Sequence, residues 1–152
     1  MSEATIRAAV YAAVNDVTGK GVVYDYERWA ATWPAFLALF KVTEAGDGQI
    51  RGWEVAYRGF NAVRDPQFGR LTLREHNFWV QGYLRIDDSA GSEKTAAALA
   101  EDMCDAIDAN TTIHSSPYRD ASPASLEVFG PRDFGGVLCH YARIVVTVTE
   151  DL

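Results

Sequence analysis

The residue types that most often carry out chemistry are few in this chain and form no metal-binding or catalytic pattern. His76, His114 and His140 show no HxxxH or HExxH spacing, so a metal site would need ligands that only the fold brings together. The two cysteines, Cys104 and Cys139, form no CxxC pair and are too few for a disulfide scaffold. We therefore expect reduced, buried thiols, no metal site and no cofactor.

A thiol–imidazole pair is the nucleophilic arrangement that these residues would allow. Cys139 and His140 are adjacent on a predicted strand, where successive side chains point to opposite faces, which argues against that pair. Cys104 with His140 remains possible. The chain has no GxSxG elbow, Walker loop or GxGxxG, and Asp87-Asp88 lies at a strand end, where acidic turns are common. We predict no catalytic residues and no enzyme activity.

Composition and length favour one domain that spans residues 1–152. The chain is 48% hydrophobic and 23% charged, and its net charge of −7 argues against a surface that grips duplex DNA. The N-terminus lacks a basic region followed by an apolar run, and no stretch approaches about 18 consecutive apolar residues. We predict neither a signal peptide nor a membrane span, and expect an intracellular setting.

One long strand, Arg70–Asp88, dominates the predicted sheet and far exceeds the usual length of about 5–6 residues. Its apolar residues change from odd to even positions near Arg74–Asn77, which predicts a bulge or a change of covering partner there. Ile50–Phe60 is its predicted antiparallel partner. We expect one end of this hairpin to lie in the core and the other to leave it.

The remaining periodic segments complete the fold prediction. Apolar residues at helical spacing predict helices over Ser2–Val17 and Ser92–Ala109, with Ser92 as an N-cap. The order of elements predicts an α+β fold: a largely antiparallel sheet with two main helices packed on one face and a long protruding β-hairpin. The other predicted elements are a short strand Val22–Tyr24, a central strand or buried helix Ala35–Val42 preceded by a non-helical Trp33, a polar loop Asn110–Ser125, a short strand Leu126–Phe129, a turn region Gly130–Gly136 and a second long strand Val137–Thr149.

Charge is distributed unevenly along the chain. Ile50–Ile86 holds six arginines against three acids, and Asp87–Asn110 holds seven acids against one lysine. A solvated helix face would explain the acids, but the asymmetry also suits self-association, with the basic hairpin of one copy meeting the acidic helix of the next. The candidate subunit-interface residues are Arg58, Arg64, Phe68 and Arg74 on the hairpin, and Asp102 and Asp105 on the helix.

Two tyrosines and two tryptophans lie within the ten residues Tyr24–Trp33, mixed with charged residues. Such a segment could plug the end of the sheet with its rings. It could also form a subunit interface, where tyrosine, tryptophan and arginine are enriched. The sequence leaves both interpretations open.

Features that run nearly end to end resemble the tail terminator proteins of long-tailed bacteriophages and related prophages. The resemblance rests on their order and spacing: the Ile6–Val17 helix, Val23–Trp29, Phe36–Phe40, Gly52–Val55, His76–Tyr83, the Ser92–Ala109 helix and Cys139–Ile144. It implies an α+β subunit that assembles into a ring, commonly a hexamer, in the host cytoplasm. The ring would be a virion component that caps the tail tube, ends its polymerisation and joins it to the head-completion or connector protein, while genome DNA passes through the lumen without specific binding. On this resemblance, Tyr118 and Arg119 in the polar loop are the candidates for contacting tube or head-side protein.

Three other hypotheses stay open. The chain could be a neighbouring neck or tail-completion component. It could be a small cone-shaped α+β domain of the nuclear-transport-factor-like type, a ligand-binding protein or isomerase, which requires an enclosed pocket with a polar group such as His76 or Asp25. It could also be an adaptor that binds a protein partner through the Asn110–Ser125 loop.

Overall fold

The computed structural model describes residues 2–42, 49–64, 67, 69, 71–115 and 118–152. Its seven strands form one sheet in the order β1-β3-β4-β7-β5, with β2 also beside β3 and β6 also beside β7. Strand β1 pairs with β3 in parallel and the other pairs are antiparallel, which confirms the α+β prediction. The elements in chain order are α1 (Ser2–Asn15), β1 (Val22–Tyr24), α2 (Trp33–Ala38), β2 (Lys41–Val42), β3 (Gln49–Arg64), β4 (Leu71–Arg85), a 3₁₀ turn (Asp88–Ala90), α3 (Ser92–Asp108), β5 (Tyr118–Ala121), β6 (Ser125–Asp133) and β7 (Leu138–Asp151).

The main core lies between one face of the sheet and the two long helices. Helices α1 and α3 both pack on this face, as predicted, because their apolar residues recur every three or four positions and form one stripe. We call it the helix face. Its fully buried side chains include Ile6, Val10 and Val14 from α1, Met103 from α3, Phe78 and Val80 from β4, and Ile144, Val146 and Val148 from β7.

Strands β3 and β4 form the long predicted hairpin, with 16 and 15 residues. The predicted bulge is present, but in the partner strand: Arg58 and Gly59 of β3 together oppose Asn77 of β4. Gly59 has φ +87°, a conformation that glycine adopts without steric strain. Strand β4 itself keeps an unbroken register with β7 as far as Leu73, opposite Asp151. It therefore does not leave the sheet near Arg74–Asn77.

Two sequence predictions about the helices were wrong in detail. Trp33 begins α2 rather than preceding it, because proline is tolerated in the first turn and Thr32 Oγ1 accepts a hydrogen bond from Ala35 N at 3.3 Å. Ser92 is the first residue of α3 and not its N-cap, which is Gly91.

The sequence analysis missed one strand at the edge of the sheet and made another too short. The segment predicted as a polar loop, Asn110–Ser125, contains β5, and β6 continues to Asp133 through most of the predicted turn region. Both strands pair with the edge of β7 that β4 leaves open. Their sequences carry no clear alternation, so this pairing depends on the tertiary structure.

Candidate interaction surface

The opposite side of the sheet, which we call the open face, is not packed against α1 and α3. At one end, α2 and the chain after β6 cover it with a second hydrophobic cluster. Aromatic rings dominate this cluster, and Phe36 lies 5.4 Å from Tyr83 and 6.1 Å from Phe134 between ring centroids. The buried members are Leu37, Phe40, Ile50, Tyr83, Phe134, Cys139 and Tyr141.

Next to this cluster, Trp79 of β4 lies between two arginines from the flanking strands. The guanidinium carbon of Arg58 is 4.1 Å from the Trp79 ring centroid and that of Arg143 is 3.8 Å away. Arg58 also forms a fork with Glu27, with both N–O distances 2.9 Å, and Arg143 lies 3.5 Å from Glu127. Each cation–π contact contributes about 0.5–1 kcal/mol at an exposed site. Tryptophan and arginine at one spot are typical of protein interfaces.

A buried carboxylate, Glu54, lies beneath this surface at 1% exposure. Tyr83 Oη donates to its Oε1 at 2.9 Å, Gln81 Nε2 donates to Oε1 at 3.2 Å, and Arg28 N donates to Oε2 at 2.8 Å. Desolvation raises the pKa of Glu54, and the bonds from Arg28 N and Tyr83 partly oppose this. The carboxylate is thus held by three donors from two segments of the chain, β4 and the residues after β1.

The same network extends across the sheet to the surface. Tyr141 Oη donates to Gln81 Oε1, and Arg143 Nε donates to Tyr141 Oη at 3.2 Å. Burial, followed by the charge of Glu54, raises the pKa of Tyr83 far above its ordinary value, so this hydroxyl stays protonated and remains a donor. Arg143, whose side chain is only partly exposed, is therefore connected by hydrogen bonds to a buried framework.

The aromatic segment between β1 and α2 closes the end of the sheet with one part, whereas its role in a subunit interface stays a prediction. Trp33 packs its ring 5.4 Å from Phe134 and 5.8 Å from Phe36, and so helps to close the end of the sheet. Trp29 is different, because 83% of its surface is exposed, and Tyr26 is 51% exposed. One part of the segment plugs the sheet and another part is presented to solvent.

The predicted hairpin arginines are engaged within their own chain. Besides the contacts of Arg58 with Trp79 and Glu27, Arg64 Nη1 donates to Gly69 O at 2.9 Å. The Arg74 guanidinium lies 4.4 Å from the Phe60 ring centroid. Acidic side chains of a neighbouring copy would therefore compete with the contacts that these arginines already make within their own chain.

The other predicted contact residues divide into two groups. Asp102 and Asp105 are exposed on α3, and their part in a subunit interface stays a prediction. Tyr118 and Arg119 lie in β5 and not in a loop, and Phe68 lies outside the described residues.

No protein-family model matches the chain, and no curated protein matches it. Among the described residues, no helix is long and apolar enough to cross a membrane, and no three metal-ligating side chains lie close enough to hold an ion.

The histidine–cysteine pairs considered from the sequence are not formed. Cys139 and His140 face opposite sides of the sheet as predicted, and His140 Nε2 instead lies 2.8 Å from Ser92 Oγ, which accepts from Asp87 N at 2.9 Å. Cys104 lies twelve residues further along α3 than Ser92, about 18 Å along the helix axis. Burial raises the pKa of both thiols to about 11, which keeps them protonated at neutral pH.

A second buried polar group, His76, was also not anticipated as a structural residue. It is 1% exposed, with Nδ1 3.1 Å from Tyr57 Oη and Nε2 2.9 Å from Glu150 Oε2. Sequence parity alone could have placed His76 on the same face as Phe78 and so at the end of the core. Its partner on the last strand could not be found that way, because the register of β4 with β7 is a tertiary feature.

The cavities do not support the hypothesis of a ligand-binding protein or isomerase with an enclosed pocket at His76 or Asp25. A cavity of about 10 Å³ beside His140 and Trp53 has room for one water at most. Two clefts of about 420 and 310 Å³ open on the side of the molecule that carries α3. Neither His76 nor Asp25 lines any of these three spaces.

Proposed function

We propose that this protein is a structural, non-enzymatic virion protein that acts as a tail terminator. In this role it forms a ring, commonly of six copies, on the end of the tail tube and stops its polymerisation. The ring then joins the tube to the head-completion or connector protein. The order and spacing of segments that run nearly end to end and resemble those of tail terminators support this proposal, as does the surface described above.

One observation carries the proposal: the two sides of the sheet present unlike surfaces. The open face offers Trp79 with its two arginines and the exposed Trp29, whereas the outer side of α3 offers exposed acids such as Asp102 and Asp105. Unlike surfaces on opposite sides favour head-to-tail contacts, in which one surface of each copy meets the other surface of the next. Such contacts form a ring when the rotation closes.

The charge of the chain is compatible with a DNA conduit. At a net charge of −7, a ring of several copies would repel phosphates overall, so DNA would pass through the lumen without being held. The in-chain contacts of Arg58, Arg64 and Arg74 also leave these cations less available for binding DNA. Passage of the genome without specific binding is part of the proposal.

Virions purified from a host that carries the gene test this function. Mass spectrometry should detect the chain in purified tails, and deletion of the gene should give tubes of irregular length that do not join heads. Re-supply of the wild-type gene is the control and should restore uniform tails. Absence of the chain from purified tails, together with normal tail length after deletion, would overturn the proposal.

A further inference from the structure

Trp29 is the most exposed of the large apolar side chains in the described part of the chain, at 83% exposure. An indole buries about 150–250 Å² when it is enclosed, and this burial stabilises a fold or an interface. The single chain does not gain that stabilisation from Trp29. Tryptophan is also the residue type most enriched among the energetic centres of interfaces. Trp29 thus has the properties of an interface anchor.

The backbone on which Trp29 stands is already fixed in the single chain. The preceding residue, Arg28, donates its backbone N–H to the buried Glu54 at 2.8 Å, and its guanidinium lies 4.3 Å from the Tyr24 ring centroid. Glu27 is held by the fork to Arg58. A side chain on such a support loses little conformational entropy when it is buried by a partner.

A shallow cleft lies on the other side of the molecule. It holds about 420 Å³ and is open to solvent, so it can contact one side of an indole without enclosing it. It lies between the end of α1 and the first turns of α3, on the helix face. The lining residues include Thr18, Arg51, Lys94, Ala98, Leu99 and Asp102.

The charges around Trp29 and around the cleft are complementary. The exposed acids Asp25 and Glu27 outnumber Arg28 beside the indole, which gives a net charge of −1, whereas Lys94 and Arg51 outnumber Asp102 in the cleft, which gives a net charge of +1. Lys94 is the single basic residue in the otherwise acidic α3. A cation beside an indole also gains a favourable cation–π contact.

We propose that Trp29 of one copy packs into the Thr18–Lys94–Asp102 cleft of the next copy. The inference rests on the proposed ring and names the contact that builds it. Since Trp29 belongs to the open-face side and the cleft to the helix face, each copy uses its tryptophan on one neighbour and its cleft on the other. The indole supplies only part of the roughly 800 Å² that each partner buries in a stable interface, and the open face around Trp79 supplies further area.

Two variants test the contact by complementation. Trp29→Ala removes the anchor and keeps the cleft; Ala98→Arg fills the cleft, with Asp102 one helical turn away as a partner for the new cation, and keeps the anchor. Each variant alone should self-associate at least about 30-fold more weakly than the wild type. An equimolar mixture should form dimers only, because the one intact anchor and the one intact cleft are then on different copies. Leu138→Ala, which also shortens an exposed apolar side chain at 53% exposure, is the matched control and should assemble as the wild type does.

The outcomes separate this contact from the function. Wild-type rings together with unchanged assembly of Trp29→Ala would overturn the contact and leave the tail-terminator proposal standing. Wild-type protein that stays monomeric in solution and is absent from tails would overturn that proposal. A mixture that forms full rings would also contradict the contact. Thermal melting of each variant should stay near that of the wild type, because both positions are exposed.

Discussion

Phe78 and Trp79 are neighbours on β4, and they show what separates the two faces of this sheet. Phe78 is fully buried on the helix face among the apolar residues of α1, β3 and β7. Trp79 is half-buried on the open face between two guanidinium groups. The same strand therefore contributes a large ring to the core and another to a surface of arginines and acids.

The comparison shows that the two faces are stabilised differently. The helix face depends on burial of apolar area, which is non-directional and contributes most of the stability. The open face holds Glu54 in a network of directed hydrogen bonds, and an apolar group of similar shape at such a site is often neutral or stabilising. We therefore expect the network to contribute more to the placement of Arg28, Tyr141 and Arg143 than to stability.

Phe78→Ala should give the largest loss of stability. Removal of a fully buried phenyl ring leaves a cavity and is expected to lower the free energy of unfolding by about 3–5 kcal/mol. Urea unfolding followed by tryptophan fluorescence measures this. A loss below about 1 kcal/mol would mean that the helix face is not the main source of stability.

Glu54→Gln should remove a pH dependence that belongs to the open face. The pKa of Glu54 is raised in the folded state, so the folded protein binds this proton more tightly than the unfolded chain does. Its contribution is therefore complete below its ordinary pKa of about 4.5 and is lost as the pH rises through the folded-state value.

Urea unfolding of wild type and Glu54→Gln between about pH 4 and pH 8 checks this, with slopes of up to about 1.4 kcal/mol per pH unit. The stability of the wild type relative to the variant should fall as the pH rises. Tyr26→Phe, on an exposed ring of the same region, is the control and should leave the pH profile unchanged. A stability difference that stays constant across this range would contradict the assignment.

Trp79→Ala should have a smaller effect on stability and a clear effect on assembly. Two cation–π contacts and partial burial of the ring are lost, which we estimate at about 1–2 kcal/mol of unfolding free energy. Because the ring lies on the proposed interface, self-association should also weaken, which sedimentation equilibrium measures. Equal losses of stability for Phe78→Ala and Trp79→Ala would remove the distinction between the faces.

The strongly periodic elements could be predicted from sequence, and the surface could not. Helices α1 and α3 and strands β4 and β7 have long, consistent apolar patterns, and the structure confirms them. Alternation along β3 places Arg58 on the same face as Glu54, but its contacts with Trp79 and Glu27 come from other segments of the chain and depend on the tertiary structure. The apolar pattern indicated an irregularity near Asn77 but not which strand carries it.

The buried polar groups were missed for a related reason. Alternation in β3 placed Glu54 on the other face of the strand from Trp53 and Val55. It did not show that Glu54 is buried there and accepts hydrogen bonds from Arg28 and Tyr83, which lie far away in sequence. Ser92 and His140, 48 residues apart, form a hydrogen bond that no local pattern signals. Long-range hydrogen bonds require the register of the whole sheet.

The mass of the purified protein in solution decides whether the unlike faces meet between copies. Mass photometry or sedimentation velocity at low salt should find a closed species of about 100 kDa, as expected for six copies of a 16.7 kDa chain. Electron micrographs of this species should show rings. A single 16.7 kDa species at every concentration and salt condition tested would contradict the assembly that we propose.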